Sequence, residues 1–217
     1  MTRRRDFLTQ LGVLATAIAL DAEETKAVSA PSDSPWDTTW IDKLASAQFG
    51  VVFNASDISD GAAMGYATTF LDHFHTVHAT RDEQTRPVIV FRRLGTPMAF
   101  GDVLWDRYGI GEELKIKDPV TRSPARRNVF WKARDGASPD EASTKLDTLR
   151  QRGLISLVCN ISVGSWSSRI AERMHRDVEE VRTEVRANLV TGAILVPSGI
   201  YALIRAQNAG CAYMTGT

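Results

Sequence analysis

A chain of 217 residues has room for one sizeable domain. Lys plus Arg and Asp plus Glu both total 26, so no global field recruits nucleic acid or an anionic membrane. Two cysteines are far too few for a disulfide scaffold, and 43% hydrophobic with 24% charged residues is an ordinary globular composition.

Residues 1–30 read as a separate object. Arg4-Arg5-Asp6-Phe7-Leu8 precedes a short apolar run from Leu11 to Leu20, and small residues follow at Ser29-Ala30. A basic start, an apolar core of about 10 residues and a small-residue cleavage point are the parts of a signal peptide. The arginine pair followed by Phe7-Leu8 resembles a twin-arginine signal, which implies a periplasmic mature protein. Cleavage is expected after Ala30, with Ala22 as the second site. The apolar run is too short for a stable membrane span, which takes about 20 residues.

Residues 31–48 form a Pro/Ser/Asp linker and a short helix carrying Trp40, Ile41 and Leu44, and residues 49–217 form one α/β domain. Phe49 to Asn54 is the first expected strand. Ala62 to His78 follows as a helix, and Pro87 to Phe91 as a second strand, at the spacing of a βαβ unit. Thr96 and Pro97 have the chemistry of an N-cap and first helical residue, predicting a helix to about Tyr108. Residues 109–140 lack sustained periodicity and hold several X-Pro steps, so they read as a long irregular insertion, with Phe130-Trp131 as an anchor. Pro139 to Arg152 returns to helix.

The stretch Leu154 to Ser162 is an apolar, β-preferring run that ends in Cys159, and so reads as a buried strand. A Gly-Ser break at Gly164-Ser165 then opens a helix expected to run to Asn188. Its stripe of Ile170, Met174, Val178, Val181 and Val185 is narrow enough to serve as a packing seam or a subunit contact. Ala193 to Val196, a helix from Ile200 to Gln207, and a final edge strand at Cys211 to Met214 complete the chain.

In open parallel sheets ligands lie beyond the carboxyl ends of the strands, which singles out Cys159. The thiolate is the nucleophilic form of cysteine and is favoured at a helix N-terminus, whereas a free cysteine sealed in a core is inert. Asn54 and Asn160 at strand ends, with Ser162 and Cys211, complete the candidate ligand-binding set. A Cys159–Cys211 bridge stays open, since export favours disulfides but Cα atoms must lie within about 7 Å. His75 and His78, one helical turn apart, have metal-ligand spacing while His73 points elsewhere, and the polar-face reading is preferred, with no metal assigned. Arg122, Arg126 and Arg127 are a basic cluster in the insertion, either solvated or meeting an anionic partner. No phosphate loop, catalytic triad or dinucleotide fingerprint occurs, so no cofactor is expected.

Four segments together resemble the DsrE/DsrF-like family: Val158-Cys159-Asn160-Ile161-Ser162, Thr191-Gly192-Ala193, Val196-Pro197-Ser198-Gly199-Ile200, and Gln207 to Met214. The resemblance covers residues 150–214 well and residues 49–92 more faintly. It implies a three-layer sandwich around a mainly parallel five-stranded sheet, assembly as a trimer or hexamer, and a role in sulfur oxidation or relay with persulfide carried on Cys159. The reading from sequence is therefore an exported thiol-based sulfur or redox carrier with a sulfur-donor or redox partner. The alternative is a non-catalytic binding or assembly module. Enzymatic turnover is left open, and the accessibility of Cys159 discriminates the two.

Overall fold

The computed structural model describes residues 34–217; the expected signal peptide and most of the linker lie outside them. Five strands, β1 (Phe49–Ala55), β2 (Thr85–Phe91), β3 (Ile155–Cys159), β4 (Ala193–Val196) and β5 (Ala212–Thr215), form one sheet in the order β4-β3-β2-β1-β5. Every pairing is parallel. The central strands are apolar on both faces, as a sheet covered twice requires. Val51, Phe53, Ala55, Ile89 and Phe91 enter one core, while Val52, Val88, Val90, Ile155 and Leu157 enter the other.

The helices divide accordingly into a three-layer α/β sandwich. Helices α1 (Thr39–Ala45) and α9 (Gly199–Asn208) cover the second face through Trp40, Leu44, Ala202 and Ala206. The other face carries α2 (Ala62–His78), α3 (Asp102–Arg107), α4 (Ile110–Glu113), α5 (Pro139–Ser143), α6 (Leu146–Gln151), α7 (Asn160–Met174) and α8 (Val178–Ala187). From β1 to β4 the chain steps across the sheet one strand at a time; α9 then crosses on the opposite face and delivers β5 beside β1.

Several local expectations give way to tertiary packing. The segment after β2 is a 3-10 turn, Arg93–Ala99, and α3 starts only after Gly101. Thr96 is fully buried instead of capping a helix. The segment is pinned from outside: Trp105 Nε1 donates to the Pro97 carbonyl at 3.0 Å, and Gly101 N donates to the Asn188 carbonyl at 2.7 Å. The helix expected over Pro139 to Arg152 is two short ones, α5 and α6.

The expected single helix from Ser165 to Asn188 is likewise two. The first begins at Asn160, so Gly164-Ser165 is not a break, and His175 ends it in the left-handed conformation, φ 52°. Asp177 caps the second by accepting from Glu179 N and Glu180 N at 2.9 and 3.0 Å. Ile170, Val181 and Val185 all face the chain's own core with at most 1% exposure. Most of the stripe is thus spent on the chain's own core, while Met174 at the end of the first helix stays 42% exposed.

Within the insertion, Lys117 and Pro124 form an isolated bridge, and Phe130 packs edge-on against Trp105 at 6.1 Å between ring centroids. Asn128 is the pin. Its side-chain amide donates to the Met98 and Phe100 carbonyls, both at 2.7 Å, and its own N–H donates to Asp102. Arg126 and Arg127 are ion-paired to Asp106 and Asp118. No helix among the described residues is long and apolar enough to cross a membrane.

Candidate functional site

The segments that follow β2 and β4 and the first turns of α7 meet at the carboxyl edge of the sheet around an open cleft of about 490 Å³. That volume falls within the range of about 300–1,000 Å³ typical of small-molecule sites. β3 runs straight into α7, so Cys159 is at once the last strand residue and the N-cap of a 15-residue helix. Its sulfur accepts a hydrogen bond from Ser162 N at 3.4 Å. Cys159 keeps 5% of its surface exposed, and that remnant lines the cleft.

Ser162 faces both ways. While its N–H donates to the thiol, its hydroxyl oxygen accepts from Arg93 N at 2.8 Å, and Trp166 Nε1 donates to the Arg93 carbonyl at 2.8 Å. Arg93 is held in the left-handed region, φ 51°, which residues other than glycine enter uncommonly. Here the first two turns of α7 grip both of its backbone polar groups. Arg92, one residue earlier, is tied to β1 by its N–H to the Ala55 carbonyl at 3.1 Å.

The third wall is the start of α9. Ser198 caps it by accepting from Tyr201 N at 3.1 Å. Gly199 lies under the Arg92 side chain, and a Cβ there would stand 2.9 Å from Arg92 Cδ and 3.2 Å from Arg92 Cβ. Across the cleft, Arg169 lies over the Trp166 ring at 5.3 Å from its centroid and pairs with Glu113 at 2.8 Å. Leu94, Ile161 and Ile200 form an apolar rim, exposed by 45%, 64% and 60%.

The candidate residues from sequence separate sharply. Cys159 and Ser162 meet in the cleft. Asn160 begins α7 but is turned to Arg186, whose guanidinium donates to Oδ1 at 2.8 Å. Asn54 lies at the crossing between β1 and β5, where strand order reverses. Its side-chain amide donates to Tyr213 Oη at 3.1 Å, and its backbone carbonyl accepts from Gly216 N at 3.0 Å. The chain's own C-terminal residues therefore pack against Asn54, which does not line the cleft.

Cys211 is at the wrong edge. It precedes β5, which starts level with Val51, and it packs on Gly50, where a Cβ would come within 2.8 Å of its sulfur. Register places it about six residue levels below Cys159, on the order of 20 Å along strands rising ~3.3 Å per residue. Both cysteines are free, and that separation is far beyond disulfide reach. Burial pushes the Cys211 thiol up to about 11. The histidines also part: His75 pairs with Asp82 at 3.2 Å, and His78 stacks on Phe49 and lies tilted against Phe74. Among the described residues no group of three or more His, Cys, Asp or Glu side chains is placed to hold a metal.

Arg92, Arg93, Trp166, Arg169, Ser198 and Gly199 were not singled out as site residues from sequence. The available signal was two adjacent basic residues directly after a buried strand, and Ser198-Gly199 opening a helix after another.

Fold and cleft together define a parallel α/β domain with one cysteine at the carboxyl edge of its sheet. No family model matches the chain, and no curated protein does. Among solved structures, one similar chain is MTH1491, a protein of unknown function from Methanobacterium thermoautotrophicum, with 14% identity and a TM-score of 0.38; the match covers 77% of this chain and 98% of that one.

Proposed function

We propose that this protein is an exported single-thiol sulfur carrier, similar to DsrE/DsrF-like proteins, that takes a sulfane sulfur onto Cys159. The observation that supports it is that the Cys159 sulfur borders an open cleft while receiving an N–H donor from the helix that follows. The Cys159 thiolate attacks the outer sulfur of a donor persulfide R–S–SH. The donor S–S bond breaks with its electron pair staying on R–S⁻, which takes up the proton lost by Cys159, and Cys159–S–SH forms. One S–S bond replaces another, so no oxidant or reductant is consumed. A dithiol redox cycle would need a second cysteine within reach, and Cys211 lies at the far edge; sulfur relay is therefore preferred over redox exchange.

Incubation with a persulfide donor, followed by mass spectrometry of peptides, tests the reading. A mass gain of one sulfur confined to Cys159 is expected, and a Cys159 that reacts only after unfolding sinks it. Export is part of the proposal: replacing Arg4 and Arg5 by Lys leaves the precursor in the cytoplasm.

An assembly role rests on a separate observation. All four residues of β5 are exposed, Tyr213 by 46% and Met214 by 48%, and an uncovered edge strand offers unpaired backbone groups. A homo-oligomer, trimer or hexamer, that covers β5 accounts for that edge. Light scattering of wild type and Met214→Lys checks it, and a wild type that stays monomeric at high concentration defeats it.

A further inference from the structure

The lining of the cleft is unbalanced in charge. In a chain whose formal charges cancel, the cleft carries Arg92, Arg93 and Arg169 and no carboxylate. Arg169 has an outside partner in Glu113. Among the described residues, the side chains of Arg92 and Arg93 make no ion pair, although Arg92 is half-buried. Gly199 leaves the space in which Arg92 lies, and α7 locks the turn that presents Arg93.

The arrangement carries an electrostatic cost in isolation. Arg92 lies across the first turn of α9, the positive end of that helix, where a cation is disfavoured and the leading amides lack intrahelical acceptors. Such a concentration of donors and positive charge without a counter-charge fits a bound anion. The size of the cleft and its apolar rim exceed what a bare oxyanion of a few atoms would fill.

We infer that the cleft receives an anionic organic thiol in its persulfide form, with its carboxylate or sulfonate groups held by Arg92 and Arg93 and its apolar part against Leu94, Ile161 and Ile200. The inference rests on the sulfur-carrier reading and gives that carrier its substrate class. The sulfur transfer is the balanced exchange already written, with the organic thiolate as leaving group. Guanidinium contacts would orient the donor so that its outer sulfur meets Cys159.

The test separates the two claims. In the full chain carrying Cys159→Ser, calorimetry measures binding of glutathione, of thiosulfate and of uncharged 2-mercaptoethanol. Glutathione is expected to bind, to weaken roughly tenfold for Arg93→Gln and again for Arg92→Gln, and to weaken with added salt. Arg93 is exposed, so its variant keeps the fold; circular dichroism verifies this for both. Binding of glutathione and 2-mercaptoethanol with equal affinity, or glutathione binding indifferent to both substitutions and to salt, overturns the anionic assignment. Binding of thiosulfate alone overturns the organic one. In the Cys159 protein, the persulfide of 2-mercaptoethanol is expected to load the thiol equally with and without the arginines. If neither persulfide loads Cys159, the carrier reading fails, while calorimetry still decides the anion site.

Discussion

Cys159 and Cys211 expose almost the same fraction of their surfaces, 5% and 6%, and stand at opposite edges of one sheet. At the carboxyl edge, the segments after β2 and β4 and the start of α7 border an arginine-lined cleft that Cys159 faces, with an amide aimed at its sulfur. At the amino edge, Cys211 is pressed onto the bare backbone of Gly50 within the smaller core beneath α9. Parallel strands produce this asymmetry, because every crossover leaves from the carboxyl edge and diverges there. Fractional exposure therefore does not pick out the working thiol. The chemistry of the few square ångströms left open does.

The sharpest way to break the comparison is to exchange the two thiols' fates. Cys159→Ser is expected to abolish sulfur loading entirely. Cys211→Ala should leave loading within about twofold of wild type, since sites this far apart with no shared partners act independently. Mass spectrometry of the loaded variants reads both. Label that persists in Cys159→Ser and disappears in Cys211→Ala would reverse the assignment.

Titration gives the next largest effect. With its thiol pushed up to about 11 by burial, Cys211 is ionised at about pH 8 to only roughly one part in a thousand. Alkylation of Cys211 in the folded protein should be negligible there and rise only as pH climbs toward that value. The linked stability has a definite sign. An unfolded cysteine ionises near about 8.5, below the folded value, so the buried neutral thiol contributes its full stabilisation below that pH. The contribution is lost as pH rises through the interval up to the folded value. Comparing urea midpoints of wild type and Cys211→Ala across this interval checks it, and a difference that grows with pH would contradict it.

A smaller effect tests packing at the amino edge. Gly50→Ala places a methyl group 2.8 Å from the Cys211 sulfur, near the start of β1 and beside the edge strand β5. Overpacking of this kind costs about 1–3 kcal/mol, measurable by urea denaturation. Loading at Cys159 should be unaffected in the fraction that is folded.

Sequence patterning carried the inner strands well, because β1, β2 and β3 are apolar runs between turn residues and parallel sheets bury such runs on both faces, whereas all four residues of the edge strand β5 are exposed. Cys159 was legible for the same reason, as the residue in which such a run ends. What escaped depends on contacts distant in sequence. The two-turn grip on Arg93 joins residues about seventy positions apart, and nothing local marks Arg93 as left-handed. The split between α7 and α8 was half visible: Asp177 with Glu179 and Glu180 is a helix start, but His175 gives no stop signal of the kind glycine provides. Cys211 misled because a cysteine in a matching motif says nothing of the edge it occupies, which only the strand register decides.

The finest of these tests concerns Ser162, the residue that joins the thiol to the arginine turn. Ser162→Ala keeps the backbone N–H that points at Cys159 but removes the oxygen that accepts from Arg93 N. A partly buried donor left without its partner costs about 1 kcal/mol, so the melting temperature should fall by roughly 2–4 °C for a domain of this size. A purely structural role would end there. If Ser162 also sets the position of Arg93, loading from an anionic persulfide should slow several-fold, while loading from an uncharged one keeps its rate. Trp166 still holds the Arg93 carbonyl, so the turn loosens without being released, and Arg93→Gln should show the larger kinetic defect of the two. Equal slowing with charged and uncharged donors would place Ser162 with the thiol alone and uncouple it from the arginine.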